Sequence, residues 1–348
     1  MPPPAADAPC PEQAFNATAL KWHTCAWLLL PVLVFLAGWM YWYAALPLTL
    51  LTAAGLAPRK RKEPPTRDSL PAFPLFTRSS FLALAAFAAL MALSGWGEWV
   101  NQHPDHIVRN ACLRELVASP WPVIFPDGNV LIYNTGFWLV PALAGKLAGL
   151  DAARVFVVLW GTWGLFLTWL WLCVFSGRRS LLLALLMAAF GSLLNFQCCL
   201  GLDLFRLHYF GTAEQIMCSA NASIPVLLFF IFLASGRMPL PWIPLLFAAT
   251  AFYSPLAALG GLPLAACQWY RQWRGVPPLR DVLLHPSFSA SVLLGVCFLL
   301  YYGTVNAPSS HMGMRSFYMH PGDFPLMATS FLLYALFCWR DFRRNPLF

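Results

Sequence analysis

Stretches of about 20 apolar residues, nearly free of ionisable side chains, recur along the chain, and each is long enough to cross the hydrocarbon core of a bilayer. Candidate spans lie at 25–45, 79–97, 153–175, 180–199, 217–235, 239–255, 256–270, 286–303 and 323–339. One soluble core cannot absorb this much apolar surface: 59% of the 348 residues are hydrophobic and only 10% charged, whereas roughly a quarter are charged in an ordinary soluble domain. The expected fold is therefore all-α, a polytopic transmembrane helix bundle of about 9–10 spans. Residues 1–24 are expected to form a disordered tail, and 25–348 a single transmembrane domain.

Charge orders the spans. With the basic, Pro-rich loop 58–78 on the cytoplasmic side, that side receives Arg59, Lys60, Arg61, Lys62, Arg67, Arg78, Arg178, Arg179, Arg237, Arg271, Arg274, Arg280, Arg340, Arg343 and Arg344. The other face holds Glu98, Asp105, Glu115, Asp127, Asp151, Asp203, Glu214 and Asp323, with Arg109, Arg114, Lys146, Arg154, Arg206 and Arg315 among them. This separation requires that 130–149 does not cross. That stretch is expected to lie at the interface, with Tyr133, Phe137 and Trp138 at headgroup level, inside an external loop over 98–150 that carries juxtamembrane helices. Pro31 and Pro47 leave 25–57 open as either one tilted span or a short hairpin.

Several functions are excluded. In a membrane protein the net charge of +8 reports orientation first, so no nucleic-acid partner is expected. Cys25, Cys173, Cys267, Cys297 and Cys338 sit in apolar runs, and no Cys/His spacing suits zinc. The Pro-rich start lacks the basic opening of a signal peptide, so the first apolar run reads as a retained helix. Almost nothing ionisable lies within the spans, which argues against a pump or secondary transporter.

Polar residues gather instead in three loops on the expected external face. After the second span, Pro104 suits a helix start and Asp105 its first turn, where a carboxylate meets the positive end of the backbone dipole. The 3.6-residue period places Asp105, Arg109 and Cys112 on one face, and Val108, Leu113, Leu116 and Val117 supply apolar surface for docking on the membrane. Asp105 and Arg109 form an i,i+4 ion pair in the plainest reading. The loops 203–215 and 311–323 add Arg206, His208, Glu214, Gln215, Arg315 and His320, among which the Arg forks suit phosphate oxygens and the His rings, with neighbouring Tyr and Phe, suit sugar faces.

This pattern resembles the GT-C superfamily of integral-membrane glycosyltransferases, which includes protein O-mannosyltransferases and aminoarabinose transferases. The resemblance rests on Asp105 with Arg109-Asn110 and Leu113 to Leu116, then Pro120-Trp121-Pro122-Val123, the helix Leu131 to Leu147, and Gly149 to Arg154 opening the next span. The polar stretch 203–215 and the Ser254-Pro255 break extend it over 79–270. It implies transfer of a sugar from a polyprenyl-phosphate donor to a lipid or glycan acceptor, with Asp105 as the catalytic base. The substrate-binding set expected with it is Arg109, Arg206, His208, Glu214, Gln215, Arg315 and His320, in which Arg206, His208 and Arg315 are assigned to the donor phosphate from their chemistry and not from the resemblance. The adjacent acid pair of many relatives is missing, since Asp105 stands between Pro104 and His106, and no cofactor or metal is expected. The implied location is a bacterial inner membrane, with membrane lipids as surroundings. Two alternatives stay open: a lipid-linked-sugar flippase or polysaccharide export component, and a non-catalytic scaffold.

Overall fold

In a computed structural model the described residues are 17–57, 77–100, 102, 104–177, 179–189, 212–273 and 278–303. They form helices α1 (Ala17–Trp39), α2 (Trp42–Leu56), α3 (Arg78–Leu93), α4 (Pro104–Ala118), α5 (Gly136–Ala148), α6 (Leu150–Ser176), α7 (Leu181–Ala189), α8 (Thr212–Ala234), α9 (Trp242–Tyr253), α10 (Pro255–Trp273), α11 (Leu279–Leu283) and α12 (Pro286–Gly303). The only β pairing among these residues is an isolated bridge between Ile124 and Val130. The stretches Thr18–Trp39, Leu150–Ser176, Gln215–Ala234 and Pro286–Gly303 are long and apolar enough to cross a membrane. The chain is a helical membrane protein. The expected span 323–339 lies outside the described residues, as does 190–199 of the span 180–199.

The bundle has two chemically distinct ends, fixed by contacts between remote residues. At one end Arg179 donates to the Ser80 hydroxyl, joining the start of α3 to the end of α6. At the other, Arg154 at the start of α6 donates to Glu98 beyond the end of α3, so the two helices run antiparallel. Helix α1 also opposes α6: its early residue Thr24 accepts from the Trp171 indole, while its last residue, Trp39, packs on Trp121 in the loop after α4. Helix α2 returns, ending where Gly55 meets the backbone of Ser287 at the start of α12. At the far end of α12, the Tyr301 hydroxyl donates to the carbonyl of Leu131. Arg78 and Arg179 thus share one end, and Glu98, Asp105 and Asp151 the other.

Two expectations change. Helix α1 begins at Ala17, inside the stretch 1–24 expected to be a tail, because Lys21 and His23 interrupt the apolar run but not the helix. The chain then breaks at Met40–Tyr41, while Pro31 and Pro47 both sit within helices, so 25–57 resolves into two helices. The start of α5 is enclosed by protein: Phe137 and Trp138 are 0% and 1% exposed, packed on Trp96 rather than presented at a surface, while Leu143 and Leu147 further along stay exposed.

The core between α1, α6, α8 and α9 is aromatic. Trp27 stacks between Trp160 and Tyr253 at centroid distances of 5.0 and 5.6 Å. Its indole donates to the carbonyl of Trp160, and the Tyr253 hydroxyl donates to the carbonyl of Trp27. Trp27 and Tyr253 each bury a large apolar body while the polar atom finds a partner, as a site without water favours, whereas the Trp160 indole nitrogen is buried without one among the described residues.

Candidate functional site: a polar cluster around Asp105 and Arg109

The site begins with a turn. After α3, Gly95 and Gly97 take φ values of 92° and 97°, in the left-handed region open to glycine, and Glu98 follows at 66°. This tight path drives the Trp96 side chain into the protein and turns Glu98 toward α6. The Glu98 carboxylate receives Arg114 at 2.5 Å and Arg154 at 2.6 Å, and Arg154 also holds Asp151 at 2.7 Å. Gln102 bridges the carbonyl of Gly95 and the amide of Asn110, tying the turn to α4.

Helix α4 starts at Pro104 with Asp105 in its first turn. Its inward stripe is His106, Arg109, Cys112, Leu113 and Leu116, so the apolar residues Leu113 and Leu116 pack into protein, while Ile107 and Val108 remain exposed. Asp105 lies at the edge of the stripe, its side chain 52% exposed, 3.3 Å from the Nη2 of Arg109. The Arg109 side chain is 7% exposed; the same nitrogen reaches the Ser219 hydroxyl at 3.2 Å, and the guanidinium lies 5.8 Å from the Trp96 ring centre. Its Nε and Nη1 are buried without a hydrogen-bond partner among the described residues. Burial raises the Tyr133 hydroxyl above its ordinary pKa, and the Arg109 charge together with a hydrogen bond from its guanidinium partly offsets this. Burial likewise raises the Cys112 thiol, with Glu115 adding to the effect.

The far wall is a break in α8. Ser219 leaves helical geometry (φ −150°, ψ 44°), which takes the backbone ladder out of register. Three carbonyls just before the break each accept from a side chain: Gln215 from the Ser223 hydroxyl at 3.1 Å, Ile216 from the Trp96 indole at 2.9 Å, and Met217 from His106 Nε2 at 2.9 Å. The last contact assigns the Nε2–H form to His106.

The structure therefore brings Asp105 and Arg109 together and places Gln215 on the segment that His106 and Trp96 clasp. Glu214 is in the first turn of α8, its side chain outside the described set. Arg206, His208, Arg315 and His320 lie outside the described residues. Among described residues no three His, Cys, Asp or Glu side chains gather as metal ligands do. Trp96, His106, Tyr133 and Ser219 are cluster members that pattern reading missed. His106 carried a signal, since it shares its stripe with Arg109 at i,i+3. The Asn221-Ala-Ser223 glycosylation pattern falls on a buried helical residue. No family model, curated protein or solved structure matches this chain.

Proposed function

We propose that this chain is a GT-C-like glycosyltransferase of a bacterial inner membrane, moving a sugar from a polyprenyl-phosphate carrier to a lipid or glycan acceptor. In this reading nine or so spans cross the bilayer. The basic end faces the cytoplasm and the acidic end the outside. The observation that carries the reading is Asp105: a half-exposed carboxylate at the acidic end, 3.3 Å from a buried guanidinium. Asp105 takes the proton of the acceptor hydroxyl as its oxygen attacks the anomeric carbon. The bond to the carrier phosphate breaks on the opposite face, the sugar inverts, and the phosphate leaves with the negative charge. Arg109 faces that charge, and Arg206, His208, Glu214, Gln215, Arg315 and His320 complete the binding set.

The closure of Arg109 on both Asp105 and Ser219 favours a second reading, a scaffold in which the pair only fastens α4 to α8. Replacing Asp105→Asn and assaying a cell-surface glycan separates the two. Loss of the glycan at unchanged protein level supports transfer; an intact glycan at that level leaves the scaffold.

A further inference from the structure

At the basic end, α3 and α7 begin side by side and run in parallel, since Arg179, two residues before α7, donates to Ser80 in the first turn of α3. Between them lies a groove of about 410 Å³, lined along α3 by Leu82, Ala86 and Leu90 and along α7 by Leu181, Leu185 and Ala188. Its lining is almost wholly apolar, and the flanking Phe81, Leu182 and Leu186 are exposed. The eight helical rises of α3 from Leu82 to Leu90 make it about 12 Å long. That approaches the hydrocarbon depth of a single leaflet, about 15 Å.

The mouth of the groove is cationic. Arg78 is exposed at the start of α3, and Arg179 sits 5.6 Å from the Trp169 ring centre. Both helix starts present positive dipole ends here, and neither first turn contains an acid. The local caps are short hydroxyls: the Ser80 amide donates to Thr77, and the Leu182 amide to Ser180. Partial burial pulls the Arg179 guanidinium below its ordinary pKa, a cost that a neighbouring anion offsets.

We infer that this groove is a binding site for an anionic phospholipid, with one acyl chain between α3 and α7 and the phosphate at Arg179 and Arg78. The charge at the mouth, the apolar lining and the depth of a leaflet select a lipid over a free anion or an uncharged chain. The site stands apart from the Asp105 cluster, at the opposite end of the bundle.

The test uses the full chain purified in neutral detergent, with lipid retention read by native mass spectrometry and stability by thermal unfolding. Phosphatidylglycerol is expected to be retained and to raise the melting temperature, and phosphatidylcholine with the same chains to do neither. Arg179→Ala should weaken phosphatidylglycerol retention about tenfold, the loss of one charge-assisted contact. The exposed Arg78→Ala provides the same reading without touching the core, and Ala86→Phe should abolish retention by filling the groove. Equal retention of both lipids overturns the proposal, as does equal stabilisation by glycerol phosphate alone, which marks a free-anion site. Failure of a lipophilic maleimide to label Ala86→Cys in lipid-free detergent also overturns it, because the groove is then covered by protein.

Discussion

The indole N–H of Trp96 reaches the carbonyl of Ile216 at 2.9 Å, across 120 residues of chain. With His106 on Met217, it fastens the turn after α3 and the start of α4 to a broken stretch of α8. Neither contact is decorative, because a carbonyl released from its helical ladder in a dry interior needs another donor. Trp96→Phe keeps the ring but removes that donor, and is expected to cost about 1–3 kcal/mol. His106→Phe should cost a similar amount, and the double variant less than the sum, because both fasten the same break. Thermal unfolding in detergent micelles measures all three.

The pair of Asp105 and Arg109 is unequal. Asp105 is half exposed, so Asp105→Asn should change stability by no more than about 1 kcal/mol. Arg109 is buried, touches α8 through Ser219 and lies on Trp96, so Arg109→Ala opens a void and removes a cross-helix bond. The expected loss is about 3 kcal/mol. Comparing the two melting temperatures checks the asymmetry; equal losses would mean that the exposed carboxylate is the structural partner.

Glycines in α6 set how closely the bundle packs. A Cβ at Gly164 would lie 2.6 Å from Ile224 and 2.7 Å from Trp27, whose ring is held between Trp160 and Tyr253 and has nowhere to move. At Gly161 the clash is with the methyl and Sδ of Met91, a buried but unbranched side chain that adapts more readily than a stacked ring. Gly164→Ala should therefore destabilise by about 1–3 kcal/mol and Gly161→Ala by less. Melting temperatures of the two variants in the same detergent decide it.

Much of this architecture is legible in the sequence, and the exceptions share a cause. The apolar runs, the Pro104 start of α4 and the Ser254 break between α9 and α10 follow from local chemistry, which a single sequence displays. The onset of α1 at Ala17 is hidden because hydropathy marks where lipid contact begins, whereas a helix continues through Lys21 and His23. In the cluster, arithmetic that starts from Asp105 selects one face of α4. The true inward stripe is offset by a residue, and only packing against Trp96 and α8 brings His106 inside. The break at Ser219 has no glycine or proline at its position. Beside the local Ser223 hydroxyl, the side chains that sustain it, Trp96 and His106, lie more than a hundred positions away, and no local pattern contains them.

Cys112 gives a chemical check on that inward face. It is 4% exposed, and burial raises its thiol pKa, so the folded protein keeps a proton that the unfolded chain releases. The sign follows from that retention: the associated stability is complete below the ordinary thiol pKa of about 8.5 and declines as pH rises beyond it. In native protein Cys112 should resist maleimide at neutral pH, while Cys267, exposed on α10, reacts. Mass spectrometry of the digested chain, labelled before and after unfolding, reads both sites. Prompt modification of Cys112 in the folded state would place the inner face of α4 against water and dissolve the buried cluster around Arg109.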